Sequence, residues 1–216
     1  MEYPNTDHLI IGMSPFNPRF STDWLANALR WGSSRFRTVD VLHPGTAAAS
    51  LLTATGTPAG RALRKARQQC NRDLRTIAEA SARAGVTLGR NTPVLISDYL
   101  TDTGYTRLRE RVITEYDRNP RFRNVCRDMS AKAAQSRLRA KGSSLSPNID
   151  TAVTYIFDEI PAYTHSAQLF RYPSAALSYP KPWPVGDFLQ SHPTSLRLDP
   201  HSHFFVLDFS LETHHV

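Results

Sequence analysis

The chain is short of the residues that most readily announce a chemistry. It has two cysteines in 216 residues, Cys70 and Cys126. Neither has a second cysteine nearby, which excludes a zinc ribbon or a dithiol redox pair. Both fall on the apolar faces of predicted helices, so buried free thiols are expected in place of a disulfide or a metal site. No apolar run approaches the roughly 18 residues of a membrane span, and Met1 to Asp7 lacks the basic start and apolar centre of a signal peptide. The expectation is a cytoplasmic protein that engages no membrane. There is no Gly-x-Gly-x-x-Gly after the first apolar run and no Walker phosphate loop, so dinucleotide and ATP binding are disfavoured. Lysine is scarce too, limited to Lys65, Lys132, Lys141 and Lys181.

Arginine takes its place. With 26 basic residues against 19 acidic ones the net charge is +7, and the planar guanidinium suits forked contacts to phosphate, which favours a nucleic-acid partner. A hydrophobic content of 40% can fill one sizeable core, so residues 1–216 are read as a single domain.

Leu9 to Met13 is a continuous apolar run ended by Ser14 and Pro15, the pattern of a strand buried on both faces of a parallel sheet. Ser14 would then stand at the carboxyl edge, where open α/β sheets bind ligands, as a candidate nucleophile or as an ordinary turn residue. Gly12 would leave room there for a substrate's backbone. Ser21 can cap a helix to about Trp31. Phe36 to Leu42 reads as a second strand, and Gly45 to Gly60 as a mobile surface loop.

From about Pro58 to Ala84 the spacing predicts a long helix. Leu63, Ala66, Cys70, Leu74, Ile77 and Ala84 form its buried stripe. Arg61, Arg64, Lys65, Arg72, Arg75 and Arg83 fall within about 100° on the opposite face. So many like charges repel, which favours an RNA-backbone contact over a plain solvated face.

Pro93 to Tyr99 reads as a third strand. Tyr105 to Tyr116 and Phe122 to Ala140 read as helices, the second with basic residues spread around it as an auxiliary surface. Ser146 and Pro147 look like the cap and first turn of a helix carrying Tyr155 and Glu159 on one face. Pro161 is expected to kink or end that helix. Ser174 to Tyr179 is a fourth strand, stopped by Pro180, and His203 to Leu211 an edge strand, parallel or antiparallel. His201, His203, His214 and His215 lack a carboxylate or cysteine to complete a metal site. The fold is thus an α/β, Rossmann-like, mostly parallel five-stranded sheet with helices on both faces.

Two segments carry a resemblance. His8-Leu9-Ile10-Ile11-Gly12-Met13-Ser14 and Tyr155-Ile156-Phe157-Asp158-Glu159-Ile160-Pro161 resemble the paired signatures of the cyclodipeptide synthases, with Met13 where an aliphatic is usual. The resemblance runs from about His8 to Pro184. It implies a fold similar to the catalytic domain of class I aminoacyl-tRNA synthetases without their ATP-binding signatures. It also implies two aminoacyl-tRNA substrates per cycle and no cofactor or metal; a monomer is expected, although the sequence itself does not disclose the oligomeric state. By resemblance Ser14 is the nucleophile, Tyr155 and Glu159 hold the substrate amine, and Tyr179 is a third catalytic residue. Asn17 orients the substrate, and Ile10, Gly12, Ala162 and Leu177 line the first amino-acid pocket. One subgroup pairs this Asn with His after the last tyrosine, and the other has Pro there and no Asn; Asn17 with Pro180 follows neither. Two other classes remain as alternatives: a serine-type ester hydrolase, which would need a His base and lacks the Gly-x-Ser-x-Gly elbow, and a non-catalytic RNA-binding protein.

Overall fold

The computed structural model describes residues 6–207. Its centre is a five-stranded sheet in the order β3-β2-β1-β4-β5, with every neighbouring pair parallel. The strands are β1 (His8–Gly12), β2 (Thr38–His43), β3 (Val94–Leu95), β4 (Ala175–Tyr179) and β5 (Ser202–Val206). This is a Rossmann-like arrangement, a parallel sheet with helices on both faces. All five residues of β1 are buried because helices cover both faces of the sheet. Its side chains alternate between two cores: Leu9 and Ile11 pack with α1 (Thr22–Ser33), and Ile10 packs with the helices of the other face. Among the described residues no helix is long and apolar enough to cross a membrane.

Helix α1 starts where expected, the Ser21 hydroxyl accepting the Trp24 amide. The segment expected to be a mobile loop is instead a 3-10 turn (Gly45–Ala48) and α2 (Ala49–Ala54). Small residues misled there: Ala47, Ala48 and Ala54 are buried with Leu52, close enough for α2 to lie against the later helix of residues Ile149–Thr164, and the Thr53 hydroxyl donates to the Ala49 carbonyl within the helix. What pins this segment is a buried pair. His43 Nε2 lies 3.0 Å from Asp73 Oδ2, and since His43 Nδ1 accepts the Gly45 amide, Nε2 carries the proton.

Asp73 belongs to α3 (Ala59–Ala84), 26 residues that pack Ala62 and Ala66 into one core and Ile77 and Ala80 into the other. The expected stripe needs one correction. Leu63 is 43% exposed and Ala62 is fully buried, which turns the start of the stripe by one residue. The Pro93–Tyr99 strand also shrinks to the two residues of β3, followed at once by α4 (Ile96–Tyr99); a short apolar run does not distinguish the two. Beyond β3 the outer margin of β2 is sealed by a strap of chain: the Gly89 amide donates to the Val39 carbonyl at 3.1 Å. A Cβ at Gly89 would stand 2.1 Å from Thr38 Cγ2.

On the other face lie α5 (Thr103–Arg118), α6 (Pro120–Ala140), α7 (Ile149–Thr164), α8 (Ser166–Phe170) and α9 (Pro184–Ser191). The cap of α7 is Asn148, whose side chain accepts the Thr151 amide, so the Ser146-Pro147 assignment falls two residues early. Pro161 neither ends nor caps α7, which runs on to Thr164. The reason lies on α5. Pro161 cannot donate to Phe157, and the buried Tyr105 hydroxyl enters the adjoining turn, donating to the Asp158 carbonyl at 2.6 Å and accepting from the Ala162 amide. Arg109, one turn along, donates to Asp158 Oδ1 at 2.6 Å. Cys70 and Cys126 are buried free thiols, as expected. The edge strand is parallel and ends at Val206; the remainder of the expected strand beyond Leu207, with His214 and His215, lies outside the described residues.

Candidate active site

β1 and β4 are neighbours and parallel, so a residue two positions past the end of one and the residue that ends the other meet at the same edge. Those residues are Ser14 and Tyr179. The Tyr179 hydroxyl is in hydrogen-bonding range of both Ser14 and Asn17. α7, crossing above this edge, brings Tyr155 and Glu159 to the same place, and the four residues line one cavity of about 130 Å³. The fold thus collects at one edge the four residues that the two signatures and the last tyrosine single out in the sequence.

The cavity's electrostatics follow from the burial of its ionisable groups. Burial pushes the Glu159 carboxyl up to about 7; the facing Tyr155 hydroxyl opposes this, and the Asp158 charge adds to it. Burial likewise raises Tyr179 to about 12; the neighbouring Ser14 and Asn17 side chains oppose this and the Glu159 charge adds to it. Tyr155 and Tyr163 are raised well above the ordinary phenol value for the same reason. At neutral pH the site thus holds neutral phenols around a carboxyl poised near its midpoint.

The other sequence candidates divide. A Cβ on Gly12 would meet the Ser178 carbonyl at 3.2 Å, the Tyr179 ring at 3.3 Å and the Tyr163 hydroxyl at 3.4 Å; glycine lets the tyrosines close over Ser14. Asn17 also accepts the Arg19 amide at 3.1 Å, which fixes its side chain beside Tyr179. Ile10, Ala162 and Leu177 are fully buried in the core behind the site and are not part of the cavity wall. Arg61, Arg64, Lys65, Arg72 and Arg75 all stand exposed on α3. Arg83 differs: it pairs with Asp23 and Glu79. His8, although part of the first signature, sits at the opposite end of β1, about 20 Å from Ser14 by strand rise, where it bonds Asp40.

Several site residues escaped the sequence reading. Tyr163 continues the spacing of four from Tyr155 and Glu159, and following that period one step further would have found it. It stacks on Trp183 at 4.0 Å between ring centroids. Leu51, Met129, Ala133 and Ile156 supply an apolar wall; Leu51 was hidden because its segment reads as loop. Among the described residues, the buried Tyr155 hydroxyl, Ser130 hydroxyl and Trp183 indole N–H of this lining have no hydrogen-bond partner. Arg137 of α6 stands apart from the other basic residues of its helix. Its guanidinium lies 4.0 Å over the ring of Phe16, two residues from Ser14, and Phe16 holds a left-handed φ of 62°.

The chain matches the cyclodipeptide synthase family model over residues 3–208. It is 56% identical over 206 residues to a cyclo(L-leucyl-L-leucyl) synthase of Corynebacterium jeikeium, covering 95% of both chains. A Bacillus subtilis enzyme of the same name is 33% identical, over 93% of this chain and 82% of that one. Among solved structures, a cyclodipeptide synthase from Bacillus thermoamylovorans superposes with a TM-score of 0.86 at 28% identity, over 94% of this chain and 89% of that one. With both signatures converging on one buried pocket, the chain belongs to the cyclodipeptide synthases, enzymes that transfer aminoacyl groups from tRNA.

Proposed function

We propose that the protein joins two leucines into cyclo(L-leucyl-L-leucyl), taking each from an aminoacyl-tRNA and passing through an aminoacyl-enzyme on Ser14. The observation that carries this reading is the convergence of Ser14, Tyr155, Glu159 and Tyr179 on one apolar-walled cavity. The name of the 56% identical relative supports leucine, and the Leu51, Met129 and Ile156 wall suits a branched aliphatic side chain.

The steps need only groups that the chain supplies. The ester of aminoacyl-tRNA is an activated acyl donor, so positioning and proton transfer suffice. Ser14 Oγ bonds the ester carbon, the ribose oxygen leaves, and the serine proton passes to it. Glu159, ionised once it meets the substrate's ammonium group, holds that group with Tyr155 Oη beside it; both residues are buried, where an unmade bond is costly. The ammonium of the bound residue passes a proton to Glu159, and the freed amine attacks the ester carbon of a second aminoacyl-tRNA; the bond from that carbon to the ribose oxygen breaks, the second tRNA leaves with the amine's surplus proton on its ribose oxygen, and a dipeptidyl-enzyme results. The terminal amine of that dipeptide then attacks the Ser14 ester, closing the six-membered ring and returning a proton to Ser14. The exposed arginines of α3 are the RNA-backbone contact in this reading.

The test is intact-protein mass after incubation with leucyl-tRNA. Wild type should gain one leucyl mass and release the cyclic product; Ser14→Ala should do neither while its circular dichroism is unchanged. Product formation by Ser14→Ala at the normal rate would refute the covalent route. Adduct from phenylalanyl-tRNA but not leucyl-tRNA would refute the choice of leucine.

A further inference from the structure

We infer that a second site, built to hold the phosphate of a nucleotide, lies at the amino-terminal edge of the sheet in a cavity of about 680 Å³ between α5 and α8. It goes beyond the active-site reading and does not depend on it. Arg90 precedes β3 and Arg171 precedes β4, whereas Ser14 follows β1 and Tyr179 ends β4. The length of the sheet therefore separates the two sites.

Four arginines line this cavity, Arg90, Arg107, Arg111 and Arg171, against one carboxylate, Asp102. Asp102 is already engaged, its Oδ1 capping α5 by accepting the Tyr105 amide at 2.9 Å. A solvated face would mix in more acids, and concentrated guanidinium groups in a concave site favour a dianion over water.

The cavity is also built from behind. The Arg90 amide donates to Asp40 Oδ1 at 3.0 Å. The other oxygen of that fully buried carboxylate takes His8 Nε2 at 2.9 Å and the Tyr172 hydroxyl at 3.0 Å. The Arg90 guanidinium donates to the Tyr99 hydroxyl and the Phe170 carbonyl, and its centre lies 5.8 Å from the Tyr172 ring. Its buried Nε has no partner among the described residues. Arg171, a non-glycine residue, holds φ at 58° where α8 ends, a conformation that costs energy and recurs at ligand sites. His8, which the active site leaves without a task, here braces an arginine.

The chemistry of the lining identifies the ligand class. Arginine forks match phosphate oxygens, and Tyr99, Leu108 and Leu169 give a less polar floor against which a base or ribose can rest. The phosphate is that of a nucleotide, either free or within an RNA strand.

The experiment uses the full chain with two probes at low salt, adenosine 5′-monophosphate and a short mixed-sequence RNA duplex. They are titrated against wild type, Arg107→Gln/Arg171→Gln, and Arg171→Gly. The last removes one charge and relieves the left-handed backbone, so it stays informative if the double variant folds poorly. At least one probe should bind wild type and weaken tenfold or more in the double variant, with a smaller loss in Arg171→Gly. Weakening of the monophosphate alone assigns the site to a free nucleotide. Weakening of RNA, with a salt slope reduced by about 2, assigns it to a strand. Absence of binding by both probes, or affinities unchanged in both variants, overturns the inference.

Discussion

The hydroxyls of Ser14 and Tyr179 reach each other across the β1–β4 pair at the carboxyl edge of the sheet. With its pKa pushed up to about 12 by burial, Tyr179 keeps its proton at neutral pH, which in the proposed reaction suits it to donating or relaying a proton and not to removing one outright. Tyr179→Phe should lower diketopiperazine output by roughly 10²-fold while the aminoacyl-enzyme still accumulates. Quenched time courses of adduct and product check this; loss of the adduct itself would move Tyr179 into the first acylation.

Glu159 sets a pH dependence of definite sign. Folding lifts its carboxyl from 4.5 to about 7, chiefly by burial, so the folded protein retains a proton that the unfolded chain has lost between those values. This group's contribution to stability is full below about 4.5, declines as pH rises to about 7 and stays reduced above it. Glu159→Gln should therefore be more stable than wild type above pH 7, measured by denaturant melts. Its product yield should fall by orders of magnitude. Wild-type kcat/KM should rise through about pH 7 and level off, and the Gln variant should lack that limb.

Charge reversal on α3 tests its exposed basic stripe. Arg64→Glu with Arg72→Glu changes two exposed residues, so the protein should still fold. Affinity for tRNA should drop, and the salt dependence should flatten by about 1 for each phosphate that the variant no longer neutralises. An unchanged affinity and slope would assign the stripe to solvent.

Tyr105 is buried in the core against α7, and its hydroxyl adds a bond to that helix's backbone. Tyr105→Phe leaves the Asp158 carbonyl and the Ala162 amide without their bridge, which should cost about 1–3 kcal/mol. Equilibrium unfolding in urea should show a lower midpoint with an unchanged slope. Because the turn affected carries Glu159, turnover should fall as well.

What was legible in the chain follows from which forces act locally. The apolar run of β1 and the period of four in α7 are local patterns imposed by burial on two faces and by helix geometry, so the places of Ser14, Tyr155 and Glu159 in the fold could be read directly, whereas their assignment as site residues rested on the family resemblance. The Ser21 cap was legible for the same reason. The segment from Gly45 to Ala54 was not, because its alanines become helical by fitting against α7 and α3 and by the His43–Asp73 bond from distant chain. Pro161 carries a local signal to break a helix, and a tyrosine from α5, remote in sequence, overrules it. Ile10, Ala162 and Leu177 show the converse. Their places beside the motifs are real, but their side chains enter the core behind the pocket.

The strap at Gly89 bears on how the molecule behaves in concentrated solution. β3 pairs with only Leu42 and His43 of β2, which would leave the first half of β2 with open backbone groups, the kind of margin that recruits strands from other molecules. The Gly89 amide closes that margin by occupying the Val39 carbonyl. Any side chain at position 89 collides with Thr38 and lifts the strap. The damage from Gly89→Val would therefore emerge first as concentration-dependent aggregation, seen by light scattering, with the pocket at the far end of the sheet still able to acylate in dilute samples.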